Sequence, residues 1–181
     1  MIRKGDLCLS YRTIMIFPEF ENIDVIESIR EKYDPLAKLV RPHITLVFPF
    51  ESEMSNDELS DILEERLEDV NAFDIEMKGF SKHSELYGNY LFLDIVKGQD
   101  DIRNIHDMLY QNEFEAYKLG FEYNPHVTVG SLVSESEMDE AYEKVKSQKE
   151  VFSTKVSRIS VEMIGKNEES IIVIEKELPI E

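Results

Sequence analysis

One cysteine in 181 residues, Cys8, excludes an intrachain disulfide framework and leaves no thiolate cluster for a structural metal, which suits a reducing compartment. No apolar run approaches the roughly 20 residues that a spanning helix requires. The N-terminal MIRKGDLCLSYR has a basic pair without the long apolar stretch of a leader peptide. The expectation is a soluble cytoplasmic protein with no membrane partner. Basic charge is scarce as well: 20 Lys and Arg stand against 38 Asp and Glu, a formal net charge of -18. Such a surface repels polyphosphate and argues against a basic face for long nucleic acid, so an anionic substrate should be small or locally held. The acidity is equally what solubility alone would ask for. A low-complexity linker is absent too, and the length suits one domain, or two small lobes sharing a core.

What is present alternates between strand and helix patterns. YRTIMIF (11–17), β-branched and aromatic and closed by Pro18, reads as a buried strand. Ile23, Ile26, Ile29 and Tyr33 predict a helix with Asn22 at its N-cap and a stop at Pro35. A strand over 43–49 follows, then a helix capped by Asn56 or Asp57 with Leu59, Ile62, Leu63, Leu67 and Val70 on one face, then the alternating strand FDIEMKG (73–79). The order then repeats. YLFLDIV (90–96) is a strand, Ile102, Ile105, Met108 and Leu109 stripe a helix to about residue 116, and 126–133 is a strand. A helix carrying Met138, Tyr142 and Val145 leads to strands near 152–163 and 170–176. The repeat unit is about half the chain, which predicts one α+β domain over 1–181, bilobal, with lobes at about 11–80 and 89–163.

The two halves share a motif. RPHITLVFPF (41–50) and NPHVTVGSLV (124–133) both read Pro-His-apolar-Thr-apolar. Side chains at i and i+2 of a strand share a face, so His43 goes with Thr45 and His126 with Thr128, while Ile44, Leu46, Val127 and Val129 turn into packing. Proline before each histidine fits a first strand residue, where its missing N–H breaks no ladder bond. Two such strands facing one cavity would bring together two imidazoles and two hydroxyls. A neutral imidazole can take a proton from an attacking oxygen while an imidazolium gives one to a leaving oxygen, and hydroxyls can donate to non-bridging phosphate oxygens. That chemistry needs no cofactor or metal. Neither motif has the nearby Cys, Asp or Glu of a zinc ligand set. His83, read in a loop, and His106, on a charged helix, have no motif around them.

HITL and HVTV in paired halves resemble the two HxTx motifs of the 2H phosphoesterase superfamily, which includes the 2'-5' RNA ligase-like proteins. KYDP (32–35) and PHVTVG are similar in particular to the YjcG-type phosphoesterases. The resemblance covers roughly residues 11–176. It implies antiparallel sheets around a central cleft with helices outside, His43 as proton donor, His126 as proton acceptor, and Thr45 and Thr128 holding phosphate. The implied reaction opens a cyclic phosphate or cleaves a 2'-5'-type phosphodiester in a small nucleotide or RNA end. Arg41, beside the first motif, and Lys82 and Tyr87, in GFSKHSELYGN (79–89), are further candidates for a phosphate contact and a base-stacking ring, with solvated loop residues as the other reading. Two alternatives stand beside the enzyme. One is a nucleotide-recognition module using the same four side chains without turnover; the other, protein interaction through the acidic helices, has only charge behind it.

Overall fold

The structure, a computed structural model, describes residues 10–120 and 122–180; Cys8 lies outside that range. In chain order the elements are β1 (Ser10–Ile16), α1 (Ile23–Tyr33), β2 (Ile44–Ser52), α2 (Asn56–Arg66), β3 (Phe73–Glu85), β4 (Gly88–Lys97), α3 (Gln99–Leu109), a 3-10 segment (Asn112–Tyr117), β5 (His126–Leu132), α4 (Glu135–Val145), β6 (Phe152–Val156), β7 (Arg158–Ile164) and β8 (Ser170–Glu177). Among the described residues no helix is long and apolar enough to cross a membrane.

Local chemistry accounts for most element ends. The chain turns extended at Asp34, as Pro35 requires, and α1 stops there. The Asn22 side chain makes no capping bond and reaches the Val151 carbonyl at 3.3 Å instead. Helix α2 is capped one residue earlier than expected, by Ser55, whose hydroxyl accepts from the Glu58 N–H while the Glu58 carboxylate accepts from the Ser55 N–H. A serine with glutamate three residues on satisfies two orphan donors at once, which Asn56 and Asp57 cannot do from their positions. Helix α3 is shorter than its apolar stripe suggests, because the backbone turns left-handed at Asn112, with φ of 50°.

The larger departure is at 79–89. Far from being a loop, it forms the ends of β3 and β4 joined across Leu86 and Tyr87, with Lys82 opposite Leu91 and His83 opposite Tyr90. Its polar residues obscure the strand period because one face of this hairpin points away from the core.

Two four-stranded antiparallel sheets result, in the orders β2-β1-β7-β8 and β5-β4-β3-β6. This is the expected bilobal α+β architecture, but its sheets do not follow the expected segments. β3 belongs with the second sheet and β7 and β8 complete the first. The two-residue turn forces β3 to lie antiparallel beside β4, so the first sheet recruits its remaining strands from the C-terminus.

Both motif strands occupy equivalent edge positions, β2 beside β1 and β5 beside β4. The helices cross over: α1 packs on β5 and α3 on β2, while α2 covers β8 and α4 covers β3, β4 and β5. Ile26 and Ile29 of α1, Ile44 and Leu46 of β2, Ile102 and Ile105 of α3, and Val127 and Val129 of β5 all join one buried cluster.

The α1 to β5 crossing needs Gly130. A Cβ at that position would sit 3.1 Å from the Tyr33 Cβ and 3.4 Å from the Leu91 Cβ, atoms fixed to the backbone. Gly130→Ala is therefore expected to destabilise the fold by about 1–3 kcal/mol, read from the urea midpoint. An unchanged midpoint would show that α1 and β5 are not closely seated.

Candidate active site

Each motif strand carries the same irregularity immediately after its threonine. On β2, Thr45 lies opposite Met15 and Val47 opposite Ile14, leaving Leu46 without a partner; on β5, Thr128 lies opposite Phe92 and Gly130 opposite Leu91, leaving Val129 without one. A bulge of this kind re-aims the side chains that flank it. Ile44, Leu46, Val127 and Val129 are fully buried, and the histidines and threonines are partly exposed.

Each histidine is then held the same way. His43 Nδ1 is 2.8 Å from the carbonyl oxygen of Arg41, and His126 Nδ1 is 2.7 Å from that of Asn124. A carbonyl can only accept, so Nδ1 donates in both and Nε2 is left as the nitrogen that gains and loses a proton. Burial pushes His126 down to about 4, against the raising effect of the Asn124 carbonyl, and the charges of His83 and His43 lower it further. His43 is also lowered, first by burial; the Arg41 carbonyl opposes this, Arg30 adds to it and Asp34 opposes it. The two motif strands, β2 and β5, pack against each other.

The segment leading to His43 is anchored by a buried ion pair. Arg30, 1% exposed, donates from Nε to Asp34 at 2.9 Å and from a terminal nitrogen to the Val40 carbonyl at 2.9 Å, and Asp34 also accepts from the Leu36 N–H at 3.0 Å. These bonds tie together both ends of the 34–40 connection. From the other side, the Tyr123 hydroxyl donates to the Thr45 carbonyl at 2.7 Å, with its ring stacked on buried His106 at 3.8 Å. His106 therefore belongs to the packing behind β2.

A cavity of about 550 Å³ lies between the sheets, with Thr45, Thr128 and His126 in its wall together with Phe48, Tyr87, Tyr90 and Phe92. Tyr87 thus stands at the cavity, as its candidacy requires. Lys82 does not. It projects from the opposite face of β3, where its ammonium pairs with Asp139 of α4 at 2.5 Å and lies over the Tyr142 ring, because adjacent strand residues face opposite ways. The Arg41 guanidinium lies over Phe17 at 4.7 Å and near Glu19 at 3.8 Å, while its carbonyl orients His43. Among the described residues no group of three or more His, Cys, Asp and Glu side chains is placed to hold a metal ion.

The hairpin adds a set of residues that sequence reasoning had left aside. Ser81 and His83 of β3 and Phe92 and Asp94 of β4 share the face that carries His126 and Thr128. Phe92 stacks with His126 at 3.5 Å and with His83 at 4.4 Å. The signal that could have found them is the alternation of Phe92 and Asp94 with Leu91, Leu93 and Ile95.

Comparison with known proteins matches residues 17–167 to the 2'-5' RNA ligase superfamily. The chain belongs to this superfamily. Relatives provisionally named phosphoesterases include one from Geobacillus thermodenitrificans, 30% identical over 146 residues, 80% of this chain and 83% of that protein. Another, from Bacillus licheniformis, is 29% identical over 127 residues, 68% and 72% of the two chains. Crystal structures of Escherichia coli LigT share the fold: the apo form has a TM-score of 0.60 at 15% identity over 94% of this chain and 98% of LigT. The complex with 3'-AMP has 0.58 at 14% over 94% and 99%.

The lowered histidines have a consequence for folding. The unfolded chain takes up a proton near the ordinary value of 6.5, while folded His126 holds out to about 4. Its contribution to stability is fully present above about 6.5 and is lost as pH falls from there toward about 4. His126→Asn keeps a donor for the Asn124 carbonyl but cannot titrate, so its urea midpoint should fall less steeply over that window than that of the unaltered protein. Parallel curves would contradict the depressed value.

Proposed function

We propose that this chain is a phosphoesterase that opens a cyclic phosphate or cleaves a 2'-5'-type phosphodiester of a small nucleotide or RNA end by paired-histidine acid–base catalysis. The observation that carries the reading is the duplicated histidine arrangement, each Nδ1 held by a carbonyl two residues upstream and each Nε2 left to exchange a proton. In the proposed step, a water oxygen attacks phosphorus as His126 Nε2 takes its proton. The bond from phosphorus to the leaving oxygen breaks as the His43 imidazolium protonates that oxygen. Burial supports the assignment of His126, since a group lowered to about 4 is neutral, and able to accept, at neutral pH. Phosphate bound in the cleft favours an imidazolium and so would draw His43 upward from its lowered free value. Thr45 and Thr128 would donate to the non-bridging oxygens as charge builds there.

The cavity and the charge both favour a small ligand. Phe48, Tyr87 and Tyr90 line the same cavity as the threonines and offer rings for a base. The net charge of -18 disfavours a long polyanion. The phosphoesterase names of the relatives and the 3'-AMP and ATP complexes of LigT support a nucleotide ligand. No step of the scheme calls on a metal, so exhaustive chelation is expected to leave turnover unchanged. Restoration of a lost activity by one divalent ion would replace this scheme.

The test is incubation with a panel of cyclic and 2'-5'-linked nucleotides, with products resolved. His43→Ala and His126→Ala are each expected to lower the rate by roughly 10² to 10⁴, and the double variant by less than the product of the two, since the pair acts as a unit. Thr45→Val and Thr128→Val should each cost on the order of 10² without changing the melting temperature. For the active protein, kcat/KM against pH should be bell-shaped with its acid limb below the ordinary histidine value of 6.5. A folded double histidine variant with full activity would refute the reading. Histidine-dependent nucleotide binding without turnover would replace it by the recognition module.

A further inference from the structure

The cavity that holds Thr45, Thr128 and His126 changes character along its length. On the cleft face of the second sheet Phe92 lies opposite Thr128, Tyr90 opposite His83, and Gly88 opposite Glu85. Phe92, Tyr90 and Gly88 alternate along β4, so this face runs from the threonine end to the hairpin over four residues, about 13 Å at the usual strand rise. That is the scale of one nucleotide, from its phosphate to the far edge of its base.

Each step offers a different chemistry. The threonine hydroxyls stand at one end, and Phe48 and Tyr90 contribute rings beyond them. The Tyr90 hydroxyl donates to the Tyr87 carbonyl at 3.1 Å, and its ring lies over Gly88, where a Cβ would come within 3.0 Å of it. The ring is therefore held in place before a ligand arrives. At the far end Glu85 lines the same cavity; it is the one carboxylate among the described residues of that wall, and no Lys or Arg stands there with it. On the opposite face of the hairpin the Ser84 hydroxyl donates to Asn89 at 3.0 Å, which braces the turn beside Glu85.

Resting on the reading of this cavity as a nucleotide site, we propose that Glu85 selects a guanine base, accepting from two adjacent N–H donors on its Watson–Crick edge while the rings hold its face. A carboxylate only accepts hydrogen bonds and repels phosphate, so it does not suit the charged end of a ligand. What it calls for is two donors side by side. Guanine presents them, N1–H and the N2 amine. Adenine and cytosine set one amine beside a bare ring nitrogen, and uracil sets one N–H between two carbonyls. With those three bases the second carboxylate oxygen would meet another acceptor, and a buried acceptor left unpaired weakens binding. The ligand class is thus a guanosine phosphate, free or at the end of an RNA.

The experiment is calorimetric binding of the 3'-monophosphates of guanosine, adenosine, cytidine and uridine to the full-length protein, in the unaltered chain and in Glu85→Gln and Glu85→Ala. A tetranucleotide ending in guanosine 3'-phosphate tells an RNA end from a free nucleotide. The guanosine compound should bind roughly 10- to 100-fold more tightly than the other three, the scale of hydrogen bonds to a charged group. Glutamine keeps the shape but sets a donor beside an acceptor, which complements the other three bases, so in Glu85→Gln the preference should vanish. It should vanish in Glu85→Ala as well. Equal affinities for the four compounds in the unaltered protein would overturn the proposal. So would an equal tightening of all four in Glu85→Gln, which would reduce Glu85 to a charge that repels phosphate. The same order should appear in kcat/KM for the four nucleoside 2',3'-cyclic phosphates. If none of these is turned over, the function proposed above fails, while the binding order still decides the role of Glu85.

Discussion

A hydrogen bond to one imidazole nitrogen fixes the ring and leaves the other nitrogen to exchange a proton, and at both motif histidines that partner is the main chain. The carbonyls of Arg41 and Asn124 each fix an Nδ1, at 2.8 and 2.7 Å. Because the acceptor is backbone, its position depends on the path of the chain before each motif and not on a second side chain. Much of the surrounding structure serves that path. The proline before each histidine breaks no ladder bond there, the bulge after each threonine re-aims the strand, and the buried pair Arg30 and Asp34 ties down the connection that delivers the first carbonyl.

Burying the two rings changes their chemistry. Burial is the main cause that lowers both histidines, and Arg30 adds to it for His43. In the free protein both rings are therefore biased toward the neutral form.

The cleft depends on reciprocal packing between halves. Helix α1 follows a strand of the first sheet but packs on β5, and α3 follows a strand of the second but packs on β2. The apolar backs of the motif strands are thereby buried against the other half, while Thr45, His126 and Thr128 line one cavity. Tyr123 adds a direct bond from the segment before β5 to the Thr45 carbonyl. Moving one motif strand would disturb the packing of both halves, which is why the geometry of one histidine is tied to that of the other.

Most elements were legible in the sequence, and so were the two motif strands with their paired histidines and threonines, because strand and helix periods are local properties of apolar placement. The cap of α2 and the end of α3 shifted by small amounts for equally local reasons, Ser55 with Glu58 and the left-handed Asn112. What the sequence could not determine was partnership between distant segments. Nothing in residues 79–89 shows that they form a hairpin wall of the cleft, because polar residues on a cavity-facing strand look like a loop. For the same reason Lys82 and His83, adjacent in sequence, were both placed in a loop, Lys82 as a candidate phosphate contact and His83 without a role, yet strand alternation sends one to Asp139 and the other to Phe92. Residue type and spacing by themselves determined which side chains could do acid–base chemistry. Only the tertiary structure decided which of them meet, since contact across a sheet depends on register and strand order, and neither is written in any local window of the chain.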